Sequence, residues 1–246
     1  MRDDEGKSKR LACVIGTGRS GTEFLSRTLR NHGHELGHEE LRRDGIVSWC
    51  LTADHEKTPY GPSWRDLDKS EFVIGHQMRH PLKTIPSLST INKKSWNFIA
   101  ESGIGDVKSH RTMLSKSMEH WLSWNQVAFH KADFHWTLSN MKMGVLPFLE
   151  ELGWELETEA WEDSFKKENA PINSAKQRVL NPKTILKTSP QVLYRRIQHA
   201  YFPQKLDWRD LEKTDQTLTL EIKDFWNAAL PTHRTKSADH GILHSN

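Results

Sequence analysis

Leu11-Ala12-Cys13-Val14-Ile15-Gly16-Thr17-Gly18-Arg19-Ser20-Gly21-Thr22-Glu23-Phe24 is the stretch on which the fold of this chain turns. Its first six residues are a short apolar run closed by glycine, the mark of a strand buried on both faces of a parallel sheet. From Ser20 to Asn31 the pattern becomes helical, with Phe24, Leu25, Thr28 and Leu29 on one face and Gly33 as the stop. Between strand and helix lies a loop rich in glycine. There, backbone N–H groups can close on an anion at the positive end of the helix.

Three chemistries compete for such a loop, beside a plain surface turn in which Ser20 only caps the helix. In the ATPase loop, Gly-x4-Gly is followed by Lys and then Ser or Thr. Here Gly16-x4-Gly21 is followed by Thr22 and Glu23, so the lysine that reaches the terminal phosphates is missing. The same residues also read as Gly-x-Gly-x-x-Gly at 16, 18 and 21, with Glu39 and Glu40 at about the distance of a ribose contact in a dinucleotide-binding unit. That reading needs a second apolar strand ending at the acidic pair, and His34-Glu35-Leu36-Gly37-His38 is a poor one. In the third reading the cation sits inside the loop: the Arg19 guanidinium, a hydroxyl and several amides surround one anionic group.

Outward from the loop, Glu71–Met78 (EFVIGHQM) is a second apolar strand. Pro81 and Pro86 cannot both lie inside one helix, so the next helix is expected to start near Thr84 with Pro86 in its first turn. Met113 to Lys131 reads as a helix carrying Trp121, Leu122, Trp124 and Val127; FHWTLS at 134–139 alternates like a strand; Gly144–Leu152 is a short helix ending at Gly153. Residues 52–70 read as a loop, and Trp208–Leu230 as one last helix. Strands alternating with helices predict an α/β fold, a parallel sheet with helices on both faces. One domain over 11–230 is expected, between a disordered N-terminus (1–10) and a disordered tail (231–246).

Composition narrows the partners. Among 246 residues, 35 basic and 32 acidic side chains leave a net charge of +3. The basic residues are scattered rather than clustered, which argues against a nucleic-acid groove. Two cysteines, one of them inside the first strand, exclude a disulfide scaffold and fit a reducing compartment. No run is long enough to span a membrane, and the charged start lacks a signal peptide's apolar core. A soluble cytoplasmic protein is expected. No ligand spacing among the 14 histidines asks for a metal, since His34 and His38 would pair only on a helix.

Gly16-Thr17-Gly18-Arg19-Ser20-Gly21-Thr22 resembles the 5′-phosphosulfate loop of sulfotransferases that use 3′-phosphoadenylyl sulfate (PAPS). Arg79-His80-Pro81 followed by Ser87 resembles the same family's 3′-phosphate motif, Arg-x-Pro then Ser, at the end of a strand. Trp121-Leu122-Ser123-Trp124-Asn125 is similar to an aromatic helix of bacterial members. Glu23 departs from the family's second threonine, and Pro86 disturbs the element that carries Ser87. The resemblance implies a P-loop NTPase-like three-layer fold, with PAPS as sulfate donor, adenosine 3′,5′-bisphosphate (PAP) as product and no metal. It implies that Thr17, Gly18, Arg19, Ser20, Gly21 and Thr22 hold the phosphosulfate end and Arg79 and Ser87 the 3′-phosphate, with Ser174, in Asn173-Ser174 before Lys176, on a loop covering the nucleotide. Arg19 would stabilise the leaving oxygen. The base would be Glu39, within Gly37-His38-Glu39, with Glu40 or His38 as alternatives and His55 and His76 behind them. The acceptor would be a hydroxyl of a carbohydrate or small metabolite, met by loops within 45–70 and 95–115. Oligomeric state has no signal in the sequence.

Overall fold

The computed structural model describes residues 10–165 and 206–230. At its centre is an all-parallel sheet of β1 (Leu11–Ile15), β2 (Leu36–His38), β3 (Gly45–Val47), β4 (Phe72–Met78) and β5 (Phe134–Thr137). The strands lie in the order β2-β3-β1-β4-β5. Alternation along β1 assigns Ala12 and Val14 to one face and Cys13 and Ile15 to the other, all fully buried. The first face packs on Leu25 and Leu29 of α1 (Thr22–Asn31) and on Phe148 and Leu149 of α6 (Leu146–Glu151), which follows the single turn α5 (Met141–Gly144). Trp161 of α7 (Thr158–Asp163) closes that layer. The second face carries Ala128 of α4 (Met113–Lys131). Beyond it, Met118, Trp121 and Leu122 of α4 pack with α2 (Pro81–Leu88), α8 (Trp208–Thr214) and α9 (Gln216–Ala229). This is the three-layer α/β arrangement that the strand and helix patterns predicted.

The register depends on close approach at Gly45, whose Cβ would lie 2.0 Å from the Ala12 carbonyl oxygen. The topology separates the phosphate-loop reading from the dinucleotide one. In a dinucleotide-binding sheet the second strand pairs with the first. Here β1 pairs with β3 and β4, and β2 lies at the edge. Leaving β1 the chain enters α1 on the first face, and leaving β4 it enters α2 and α4 on the second. The carboxyl ends of β1 and β4 therefore flank a topological switch point, where open α/β sheets bind ligands.

Four expectations need correction. The segment 34–38, a poor strand by its pattern, contains β2, and β3 follows it; each has three residues, too short to show a period. The helix after β4 begins at Pro81, not near Thr84, with Pro86 inside it. Pro81 takes the first helical position, where no N–H is needed, and the His80 Nδ1 accepts the Leu82 amide. Residues 95–101, assigned to a substrate loop, lie within α3 (Lys93–Glu101), which is capped by Asn92 and buried through Phe98 and Ile99. The last helix is two, broken at an extended Asp215 whose carboxylate caps α9 on the Leu218 amide.

Candidate functional site

The loop from Gly16 to Gly21 leaves the middle strand of the sheet and is clamped from β4. Gly16 passes so close that its Cβ would stand 2.5 Å from the Gln77 carbonyl oxygen. Gly16→Ala is therefore expected to cost roughly 1–3 kcal/mol of stability, as overpacking against rigid backbone does, and to lower the melting temperature in a thermal scan. The Gln77 side chain donates to the Ser20 carbonyl at 3.1 Å. Gly21, at φ 97°, begins α1 with no side-chain cap, whereas α3, α4 and α9 are capped by Asn92, Thr112 and Asp215. Ser20 is not a cap: its hydroxyl, like that of Thr17, is buried without a hydrogen-bond partner among the described residues. Two orphaned hydroxyls and an uncapped helix start in one loop are the donors that an anion would satisfy.

Arg19 is held in the left-handed region at φ 71°. Such a conformation is uncommon outside glycine and is found where surrounding structure enforces it. Its Nε donates to the Ser87 hydroxyl at 2.8 Å, and the Arg79 Nη1 donates to the Arg19 carbonyl at 3.3 Å. Arg79 itself is fixed by its own carbonyl, which accepts from the Trp121 indole N–H and the Thr84 hydroxyl. Among the described residues no carboxylate lies within ion-pair distance of Arg79, and burial pulls its guanidinium below the usual arginine range. A desolvated cation with no acid beside it is a receptor for an anion.

The carboxyl ends of β2 and β3 supply the other side. Among the described residues, Glu39 is the second non-glycine residue at positive φ, 60°. Its Oε2 accepts from the Ser48 hydroxyl at 2.5 Å. Burial raises its carboxyl to about 7, against the opposing bonds from Ser48 and the Trp49 amide. The chain makes room for this turn at Gly61, whose Cβ would meet the Glu39 carbonyl at 2.2 Å. The His38 Nε2 lies within hydrogen-bond distance of the Thr22 hydroxyl, at 3.3 Å, and 3.9 Å from the Glu39 Oε1, too far for a direct hydrogen bond. The Trp49 ring lies against Gly18. Thr17 to Thr22, Arg79, Ser87, His38 and Glu39 are thus brought together at the carboxyl ends of the strands.

Other nominated residues fall elsewhere. Glu40 is exposed and ion-paired with Arg42. His55 is half-buried, near Phe98. His76 is buried against Asn125 and pushed down to about 3 by desolvation, hence neutral. The Trp121–Asn125 stripe is core. Ser174, with Asn173 and Lys176, lies outside the described residues. Gln77, Ser48 and Trp49 were missed by sequence reasoning. Only Gln77 left a signal, as a polar side chain inside an apolar strand run. Among the described residues no group of His, Cys, Asp or Glu could hold a metal ion, and no helix is long and apolar enough to cross a membrane.

No family description matches this chain, and no curated protein matches its sequence. Among solved structures it is similar to a crystal structure of mouse sulfotransferase SULT7A1 complexed with PAP. The identity is 13%, with 91% of this chain and 90% of that chain covered, at a TM-score of 0.33. A superposition that loose assigns nothing to this chain. Its own residues must carry the functional reading.

Proposed function

We propose that this protein is a sulfotransferase that moves a sulfuryl group from PAPS to an acceptor hydroxyl. The observation that carries the reading is the Arg19–Ser87 hydrogen bond beside Arg79, because it joins the loop after β1 to the motif after β4 in one crevice. A nucleotide with anionic groups at both its 5′ and 3′ positions matches two cationic ends that close together. The orphaned hydroxyls of Thr17 and Ser20 fit the 5′ end; Arg79 and Ser87 fit the 3′-phosphate. Bound PAPS supplies a sulfuryl group on a phosphate leaving group.

The chain's own residues would then act as follows. Amides at the start of α1 and the Arg19 guanidinium stabilise negative charge at the leaving oxygen. The sulfuryl group carries less charge than a phosphoryl group, so protein cations serve in place of a metal clamp. Glu39, poised near 7, takes the acceptor's hydroxyl proton, and His38 orients it between Thr22 and the carboxyl group. The acceptor is a carbohydrate or another small hydroxyl compound.

A thermal shift experiment separates this reading from that of a dinucleotide binder or a non-catalytic nucleotide binder. At about a hundredfold over its dissociation constant, PAP contributes roughly 2.7 kcal/mol, a rise of about 5–10 °C for a chain of this size. NAD and ATP are expected to leave the transition where it is. A rise with NAD and none with PAP would end the proposal.

A further inference from the structure

We infer that Gln77 and Trp136 form a two-residue bracket that sets the shape of the phosphate loop, and that Gln77 is a positioning residue for anion binding. Gln77 is fully buried in β4, one residue before Met78 ends the strand. Its amide Nε2 donates to the Ser20 carbonyl at 3.1 Å, and its Oε1 accepts from the Trp136 indole N–H at 3.1 Å. The amide is thereby oriented from behind. Trp136 must donate, so Gln77 presents its NH2 to the loop and not its oxygen.

The indole is itself locked. A Cβ on Gly75 would meet the Trp136 ring at 2.4 Å, and one on Gly144 would meet the Trp136 Cβ at 2.8 Å. Two glycines on separate elements therefore make the seat for one ring. Gly21 completes the contact, with Leu138 and the Gln77 amide 2.9 and 3.2 Å from where its Cβ would be. The carbonyl that Gln77 grips belongs to Ser20, between the left-handed Arg19 and the left-handed Gly21. Fixing the Ser20 peptide fixes the direction of the N–H groups on the helix side and holds Arg19 in a conformation it would not adopt alone. None of these atoms touches the anion; the bracket acts on it through the loop.

The inference rests on the phosphate-loop reading, so the experiment has one arm that needs no nucleotide. Gln77→Met keeps the volume and removes both bonds; Trp136→Phe keeps a ring and removes the donor. Amide hydrogen exchange in the ligand-free protein over residues 16–25 is expected to quicken at least tenfold in Gln77→Met and less in Trp136→Phe. PAP affinity by calorimetry is expected to fall at least tenfold and several-fold, respectively. Unchanged exchange in both variants, or unchanged PAP affinity alongside a lowered melting temperature, would overturn the assignment and leave Gln77 a packing residue. Faster exchange in a protein that does not bind PAP even as wild type would uphold the bracket and refute the donor. If Gln77→Met does not fold, Trp136→Phe decides on both readouts.

Discussion

Arg79→Ala is expected to weaken PAP binding about a hundredfold or more while leaving the ligand-free protein as stable as the wild type. Truncating one partner of a buried, hydrogen-bonded charge pair costs roughly 2–5 kcal/mol, and every 1.4 kcal/mol is a factor of ten. The stability half of the expectation follows from the absence, among the described residues, of a carboxylate beside Arg79. Its guanidinium is desolvated with no compensating acid, and its bond to the Arg19 carbonyl is a long one at 3.3 Å. Removing it relieves a desolvation cost and gives up one weak hydrogen bond. An arginine that served mainly to hold β4 against α2 would show the opposite pattern: a lower melting temperature and an unaltered dissociation constant. Calorimetry and thermal denaturation of the same preparation distinguish the two. Arg79→Lys is expected to fall between, because the charge survives and the planar fork does not.

Much of this site can be read in the sequence, and the boundary between legible and illegible has physical causes. Leu11–Gly16 and Phe72–Met78 announce themselves because a strand buried on both faces is a continuous apolar run. The loop between β1 and α1 is equally plain, since glycines at 16 and 21 answer to a close approach and a positive φ. The helix over Met113–Lys131 has the limits its sequence predicted. What stayed hidden is set by long-range contact. β2 and β3 are too short for a period, and the parallel pairing that defines them joins residues about nine positions apart. Ser48, Trp49 and Gly61 acquire meaning only when the carboxyl ends of β2 and β3 and the loop at Gly61 converge on Glu39. Asp215 ends one helix and caps the next, whereas the apolar pattern from Leu211 to Trp226 reads straight through it. Among the described residues the non-glycine residues at positive φ are Arg19 and Glu39, and both were already nominated, Glu39 through the family resemblance. Their strain adds an argument that no residue pattern contains.

Glu39→Gln is expected to leave PAP binding within about threefold of the wild type while lowering sulfate transfer by roughly 10²–10⁴, the span that positioned general bases contribute. The glutamine keeps the shape and can still accept from Ser48, so the nucleotide crevice is undisturbed; what is lost is the basic oxygen. Wild-type activity should rise with pH through about 7, where the carboxyl group ionises in the folded protein, and the residual activity of the variant should lack that limb. The stability consequence has a definite sign. Folding raises this carboxyl from 4.5 to about 7, so between those values the folded state holds a proton that the unfolded state has released. Wild-type stability therefore falls as pH rises from about 4.5 to 7 and stays lowered above, by about 3 kcal/mol at most. Glutamine carries no such penalty. The inactive variant is then the more stable protein at pH 8, and its advantage disappears towards pH 4. A variant that transfers sulfate at full rate would move the base to His38. One that shows no gain in melting temperature at pH 8 would mean that the carboxylate is better solvated than its contacts with Ser48 and Trp49 imply.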